Sequence, residues 1–201
     1  MEYPHFLTAR QQQVVTVLEE QDRRERRTLD RASLRVRAVS RDVAQFLYLM
    51  ALRDRARTLV ELGTSAGFST IHLAAAARRT GGHVLSVDRD AEKTAWARRN
   101  LEAAGVDDLV ELHTGEAADF ARDLAPGLDL LFIDLGVASL LPQLPGLKEK
   151  VAAQGLVFAD GYGTSETSPE WQELIRSFAE DPRFALWMMP MHKVHLVALR
   201  V

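Results

Sequence analysis

Glu61, Gly63, Gly67 and Asp88 form the first constellation with chemical potential. In LVELGTSAGFST, residues 59–70, an acid interrupts an apolar run, two glycines follow four residues apart, and no Lys or Arg lies in the loop. Glycines let the backbone turn tightly and approach a ligand with no Cβ in the way. A pyrophosphate site would call for G-x-G-x-x-G or a Lys after the glycines. Here the spacing is G-x-x-x-G and the only nearby charge is negative, so a nicotinamide dehydrogenase is disfavoured. A carboxylate repels pyrophosphate and attracts an ammonium or sulfonium. Asp88 ends HVLSVD, 21 residues beyond Gly67, the spacing at which a carboxylate accepts hydrogen bonds from ribose hydroxyls. One acid for an ammonium and one for a ribose describe S-adenosylmethionine. The plainer alternative, a structural turn and a surface Asp, leaves Glu61 on an apolar strand unexplained.

The elements that must carry these residues follow from periodicity. Short apolar runs, TLVEL, HVLSVD, LVELHT, LDLLFID and GLVFAD, alternate with the helical segments STIHLAAAARR, AEKTAWARRNLEAAG, one near EAADFARDL, and SLLPQLPGLKEKVAA, which prolines interrupt. That alternation predicts βαβ crossovers and an α/β fold with a mostly parallel sheet. Such sheets bind ligands at the carboxyl ends of their strands. Two helices precede them: a polar one over 9–29, and one opening at Ser40 with Val43, Phe46, Leu47 and Met50 on one face. Pro169 starts a later helix through Trp171, Leu174, Ile175 and Phe178. RFALWMMPM and KVHLVALRV are joined by too few residues for a crossover and must pair antiparallel. The methionines and Trp187 are expected as strand core residues.

The 201 residues suffice for one substantial core. A single domain is expected over 1–201, with residues 1–56 covering cofactor and acceptor and 57–201 forming the Rossmann-like core. No cysteine is present, which removes disulfides, thiolate metal sites and a Cys nucleophile. With no apolar run near the length of a membrane span and no basic-then-apolar start, a cytoplasmic protein without membrane association is expected. The net charge of -3 argues against nucleic acid. Residues 23–41 nevertheless carry eight arginines against two acids, which read as a solvated helix face or a phosphate-contacting arm.

From about residue 38 to its end the chain resembles the class I S-adenosylmethionine-dependent methyltransferases, in particular the catechol and caffeoyl-CoA O-methyltransferase-like family. ELGTSAGFST is similar to that family's glycine signature, VDRDAEKTAWARRNLEAAGVDDLVELHTGEA to its following block, and LDLLFID to its fourth strand. The resemblance implies a seven-stranded sheet whose last strand is antiparallel. It implies that Glu61, Gly63, Ser65, Gly67 and Ser69 surround the methionine portion, that Asp88 holds the ribose, and that Glu116 and Ala117 border the adenine. Val39 would lie over the cofactor. Asp134 would border the cofactor as the catalytic candidate and, with Asp160, form a tentative Mg²⁺ site.

Two departures follow. Gly161 stands where the family's metal-binding Asn would be, and water can replace one lost oxygen ligand at reduced affinity. The Lys that follows the fourth-strand Asp is missing too: DLGVASLL is followed by no Lys before Lys148. Methyl transfer from a sulfonium gains much from positioning, yet the acceptor hydroxyl must still lose its proton. His72, His113, His192 and His195 are weak candidate bases, and Tyr162 is a candidate lining residue for the acceptor. The leading expectation is an O-methyltransferase acting on a small, aromatic or otherwise planar hydroxyl acceptor. The alternatives are an RNA methyltransferase gripping phosphates through Arg23–Arg41, and a non-catalytic S-adenosylmethionine-binding protein. For a homodimer the candidate surfaces are the N-terminal helix and the edge of the terminal hairpin.

Overall fold

The computed structural model describes residues 6–30, 35–160 and 167–201. Strands β1 (Thr58–Leu62), β2 (His83–Asp88), β3 (Val110–Thr114), β4 (Leu128–Ile133), β5 (Val151–Asp160), β6 (Phe184–Met191) and β7 (Lys193–Arg200) form one sheet in the order β3-β2-β1-β4-β5-β7-β6. The first five run parallel to one another, while β7 is antiparallel to both β5 and β6. Chain order runs outward on both sides of the β1–β4 boundary, which opens a crevice at their carboxyl ends.

Residues alternate between the two faces of each strand. Leu59, Leu130, Phe132, Leu156 and Phe158 join one core layer with helices α1 (Ala9–Thr28), α2 (Arg41–Arg53), α3 (Phe68–Thr80) and α4 (Ala91–Ala104). Val60, Leu131, Ile133, Val157 and Ala159 join the other, with α5 (Ala117–Asp123), α6 (Leu144–Lys150) and α7 (Pro169–Ala179). Near-continuous apolar strands are what a sheet buried on both faces requires. The helix punctuation is legible: Ser40 caps α2, Asp90 caps α4, Ser168 caps α7, and Gly105 ends α4 in the left-handed region.

Two expectations need correction. The helix over SLLPQLPGLKEKVAA stops at Lys150, and Val151–Ala153 already belong to β5. A register shift between Leu128 and Leu130 accommodates the extra length, with Gln154 at φ 66° at the irregularity. Trp187 is not core: it is 55% exposed, whereas Met189 on the same face of β6 is buried. Since β6 is the edge strand, the helical layer ends before it covers Trp187.

Candidate functional site

The crevice is built around a conformational requirement at Gly63. Its φ is 111°, its N–H donates to the Val87 carbonyl at 2.9 Å, and a Cβ there would lie 2.2 Å from the Asp134 carbonyl oxygen. The Asp134 amide in turn donates to the Leu62 carbonyl at 2.8 Å. One glycine therefore joins the ends of β1, β2 and β4, and only an absent side chain permits the approach. Gly67, at φ 86°, starts α3 in the left-handed region with no side-chain cap, so the amides of the first turn point at the crevice without a protein acceptor from that cap.

Glu61 is fully buried beneath this loop, between β1 and α3. Its Oε1 accepts from the Ser69 hydroxyl at 2.5 Å, and its Oε2 accepts from Thr70 at 2.5 Å and Ser86 at 2.7 Å. Thr64 and Ser86 share a further hydroxyl contact at 2.6 Å. Burial pushes the Glu61 carboxyl up to about 7; the three hydroxyl donors oppose that rise and the Asp88 charge adds to it. Through these hydroxyls the carboxylate holds the loop and the first turn of α3.

Asp88, half-buried at the end of β2, accepts from the Ser65 amide at 2.8 Å and the Asp90 amide at 3.0 Å. Ser65, at φ 48°, donates its hydroxyl to the Val36 carbonyl at 2.6 Å. Val36 is held in its turn: Glu25 of α1 accepts from the amides of Arg35 at 2.9 Å and Val36 at 3.0 Å. Burial pushes Glu25 up, but the Val36 and Arg35 amides, Gln21 and the Arg35 charge outweigh it, and its carboxyl lies below the usual range. Buried Val39 packs in the same layer just ahead of α2. Lys93 of α4 places Nζ 3.4 Å from the Ser65 hydroxyl; burial lowers its proton affinity, and Asp88 opposes that. Glu116 is exposed at the start of α5 and Ala117 is partly buried beside it.

The other half of the crevice lies at the ends of β4, β5 and β7. Desolvation raises the Asp134 carboxyl well above the usual carboxylate range, and Asp160 and Glu61 push the same way against Lys193 and Lys93. Asp160 is 1% exposed, and among the described residues no hydroxyl or backbone amide donates to its carboxylate. Lys193 makes an ion pair with Oδ1, and His195 Nδ1 lies 3.5 Å from the same oxygen. Among the described residues no cluster of three His, Asp or Glu side chains could hold a metal ion. Hard divalent cations take six or more oxygen ligands. With an ammonium already on the Asp160 oxygen, the donor set does not fit such an ion. Gly161 and Tyr162 lie outside the described residues.

The histidines find other partners. His72 Nδ1 pairs with the Phe68 carbonyl at 2.9 Å, and burial lowers its proton affinity to about 4. His113 pairs with Glu111 at 2.9 Å, and His192 with Asp42 at 2.7 Å. Sequence reasoning missed Glu25, Thr70, Ser86, Lys93 and Lys193. Thr70 could have been found as the neighbour of Ser69 on the helix that caps Glu61. Lys193 had a fainter signal, two residues before His195 on a strand that must pair with β5.

A family model described as a methyltransferase domain matches residues 60–162. A catechol O-methyltransferase of Mycobacterium tuberculosis is 43% identical over 106 residues, covering 52% of this chain and 48% of its own. A ribosomal RNA small subunit methyltransferase G of Rhodopseudomonas palustris is 33% identical over 120 residues, covering 60% and 52%. The chain spans about half the length of the curated relatives it matches first. Among solved structures, an O-methyltransferase from Bacillus cereus in complex with SAH superposes with a TM-score of 0.77 at 23% identity, covering 98% of this chain and 92% of that one.

Proposed function

This chain belongs to the class I S-adenosylmethionine-dependent methyltransferase family, and we propose from that premise that it moves a methyl group from S-adenosylmethionine to a hydroxyl of a small, aromatic or otherwise planar acceptor. The observation that carries the reading is the Gly63 junction, which sets the uncapped start of α3, the Asp88 carboxylate and Asp134 around one crevice. The catechol O-methyltransferase relatives support a hydroxyl acceptor.

S-adenosylmethionine supplies a methyl carbon on a sulfonium, a leaving group that departs as a neutral thioether. The chain's own residues do the rest. The first-turn amides of α3 and the loop from Gly63 through Ser65 to Gly67 receive the amino-acid end, since helix N-termini favour a carboxylate. Ser69 faces that end from above Glu61, which acts as a positioning residue. Asp88 keeps acceptor capacity for ribose hydroxyls, Val39 covers the donor, and Glu116 with Ala117 borders the base. Asp134 orients the acceptor hydroxyl for in-line attack: the new O–C bond forms as the C–S bond breaks, its electron pair returns to sulfur, and the hydroxyl proton passes to the Asp134 carboxylate.

The ribosomal RNA relatives favour a second reading, in which exposed Arg23, Arg24 and Arg27 at the end of α1 meet phosphates. Part of that arginine set is engaged within the fold, Arg26 with Asp22 and Arg41 with Glu19, which supports the small acceptor. A methyl-transfer screen against catechols, single phenols and unmodified RNA, with and without Mg²⁺ and EDTA, separates the readings. Turnover of RNA with a steep salt dependence overturns the small-acceptor reading. Donor binding by calorimetry with no turnover on any acceptor class would point to a binding protein instead.

A further inference from the structure

Beside the acceptor half of the crevice, buried Asp160 Oδ1 meets the Lys193 ammonium and lies 3.5 Å from His195 Nδ1, while Asp160 Oδ2 has no hydrogen-bond donor among the described residues. His195 Nε2 lies 2.9 Å from the Met191 carbonyl. A carbonyl can only accept, so Nε2 carries a hydrogen, and Nδ1 is the ring nitrogen turned toward Asp160. A buried carboxylate is costly in a protein interior unless a cation sits against it.

We propose that the Lys193 ammonium is a built-in cation of this pocket, taking the electrostatic place that a divalent ion would fill beside Asp160 and His195. The inference deepens the methyltransferase reading and rests on it. Backbone register sets the placement: Asp160 pairs directly with His195 across the β5–β7 ladder, and Lys193, two residues earlier, projects on the same face. His192 at φ 61° makes the turn from β6 into β7, and its Nε2 contact with Asp42 ties the hairpin tip to α2. Lys193 keeps 37% of its side chain exposed while Asp160 keeps 1%. The ammonium thus neutralises the buried carboxylate from one side and faces the crevice from the other. It adds no covalent step. A divalent ion can bind two adjacent oxygens of a chelating diol, whereas an ammonium offers individual hydrogens to one oxygen at a time. The acceptor class that fits is therefore a single hydroxyl, with no need for a vicinal partner.

The test is a Mn²⁺ titration of the full chain with S-adenosylmethionine present, followed by electron paramagnetic resonance. Wild type and Lys193→Arg should leave the free-ion signal undiminished into the millimolar range. Lys193→Met, of similar length but uncharged, should tighten Mn²⁺ binding at least ~10-fold, because a repelling charge leaves an acceptor pocket. Lys193→Met combined with Asp160→Asn should lose that gain. Wild type that binds Mn²⁺ with Lys193 in place, or a Lys193→Met protein that titrates like wild type, overturns the proposal. Should Lys193→Met fail to fold by circular dichroism, wild type still decides, since methyl transfer abolished by EDTA and restored by Mg²⁺ overturns it, and transfer indifferent to both supports it. Calorimetry with S-adenosylmethionine on the same samples keeps the two readings apart: absent donor binding removes the methyltransferase reading and leaves the Mn²⁺ comparison standing.

Discussion

The two halves of the crevice solve the burial of a carboxylate in opposite ways. Beneath the glycine loop, Glu61 is wrapped by three hydroxyls contributed by β2 and α3. At the end of β5, Asp160 has no hydroxyl donor among the described residues and leans on the charge of Lys193 from the hairpin. Hydroxyls fix direction as well as energy, whereas an ion pair mostly fixes charge. The donor-half carboxylate is accordingly satisfied by hydroxyls of the sheet and its covering helix, and the acceptor-half carboxylate is met by a charge from the terminal hairpin.

The sharpest break in that comparison should come from Asp134→Asn, which removes the proposed proton acceptor. It is expected to lower kcat by ~10²–10⁴-fold, the usual worth of a positioned proton acceptor, with the donor Kd from calorimetry within about threefold of wild type. Gly63→Ala should damage both halves at once. Its Cβ would sit 2.2 Å from the Asp134 carbonyl at a φ of 111°, so strain of about 1–3 kcal/mol or more is expected, read as a lower denaturation midpoint and a donor Kd raised by at least ~10-fold.

Glu61→Gln sharpens the contrast through pH. The folded-state carboxyl is raised from 4.5 to about 7, so its contribution to stability is fully present below the unfolded value and is lost as pH rises through about 7. Melting of the donor-free protein should therefore fall between pH 5 and 8 by roughly 5 °C from this group. Glu61→Gln should flatten that slope and weaken donor binding. A melting curve of unchanged slope in the variant would mean that Glu61 is ionised throughout. The smallest effect is expected from Ser65→Ala, which removes one hydroxyl contact to the Val36 carbonyl: about 1 kcal/mol of stability and a few-fold in donor Kd.

The donor half was legible in the sequence because its parts are contiguous. Glu61, Gly63 and Gly67 share one loop, and Asp88 ends the next strand, so spacing alone carried the chemistry. What spacing could not show was direction. A strand residue beside a glycine turn faces either the crevice or the following helix, and the hydroxyls of Ser69, Thr70 and Ser86 decided for the helix. The antiparallel hairpin followed from its short connection, while the end of α6 was misjudged because Lys150–Ala153 suits either state and the β5 irregularity could not be foreseen. Lys193 was hidden for a different reason. Its meaning depends on the β5–β7 register, and register is a property of the paired strands rather than of either one.

Arg10 grips the last carbonyls of α4, at 2.6 Å from Ala103 and 2.7 Å from Glu102, while Glu25 at the far end of α1 grips the amides of Arg35 and Val36. The first helix is thereby strapped down at both ends, and its second buckle is one residue's carbonyl away from the Ser65 hydroxyl. Shortening the chain from its amino terminus would thus be felt at the methyl donor before it was felt in the sheet.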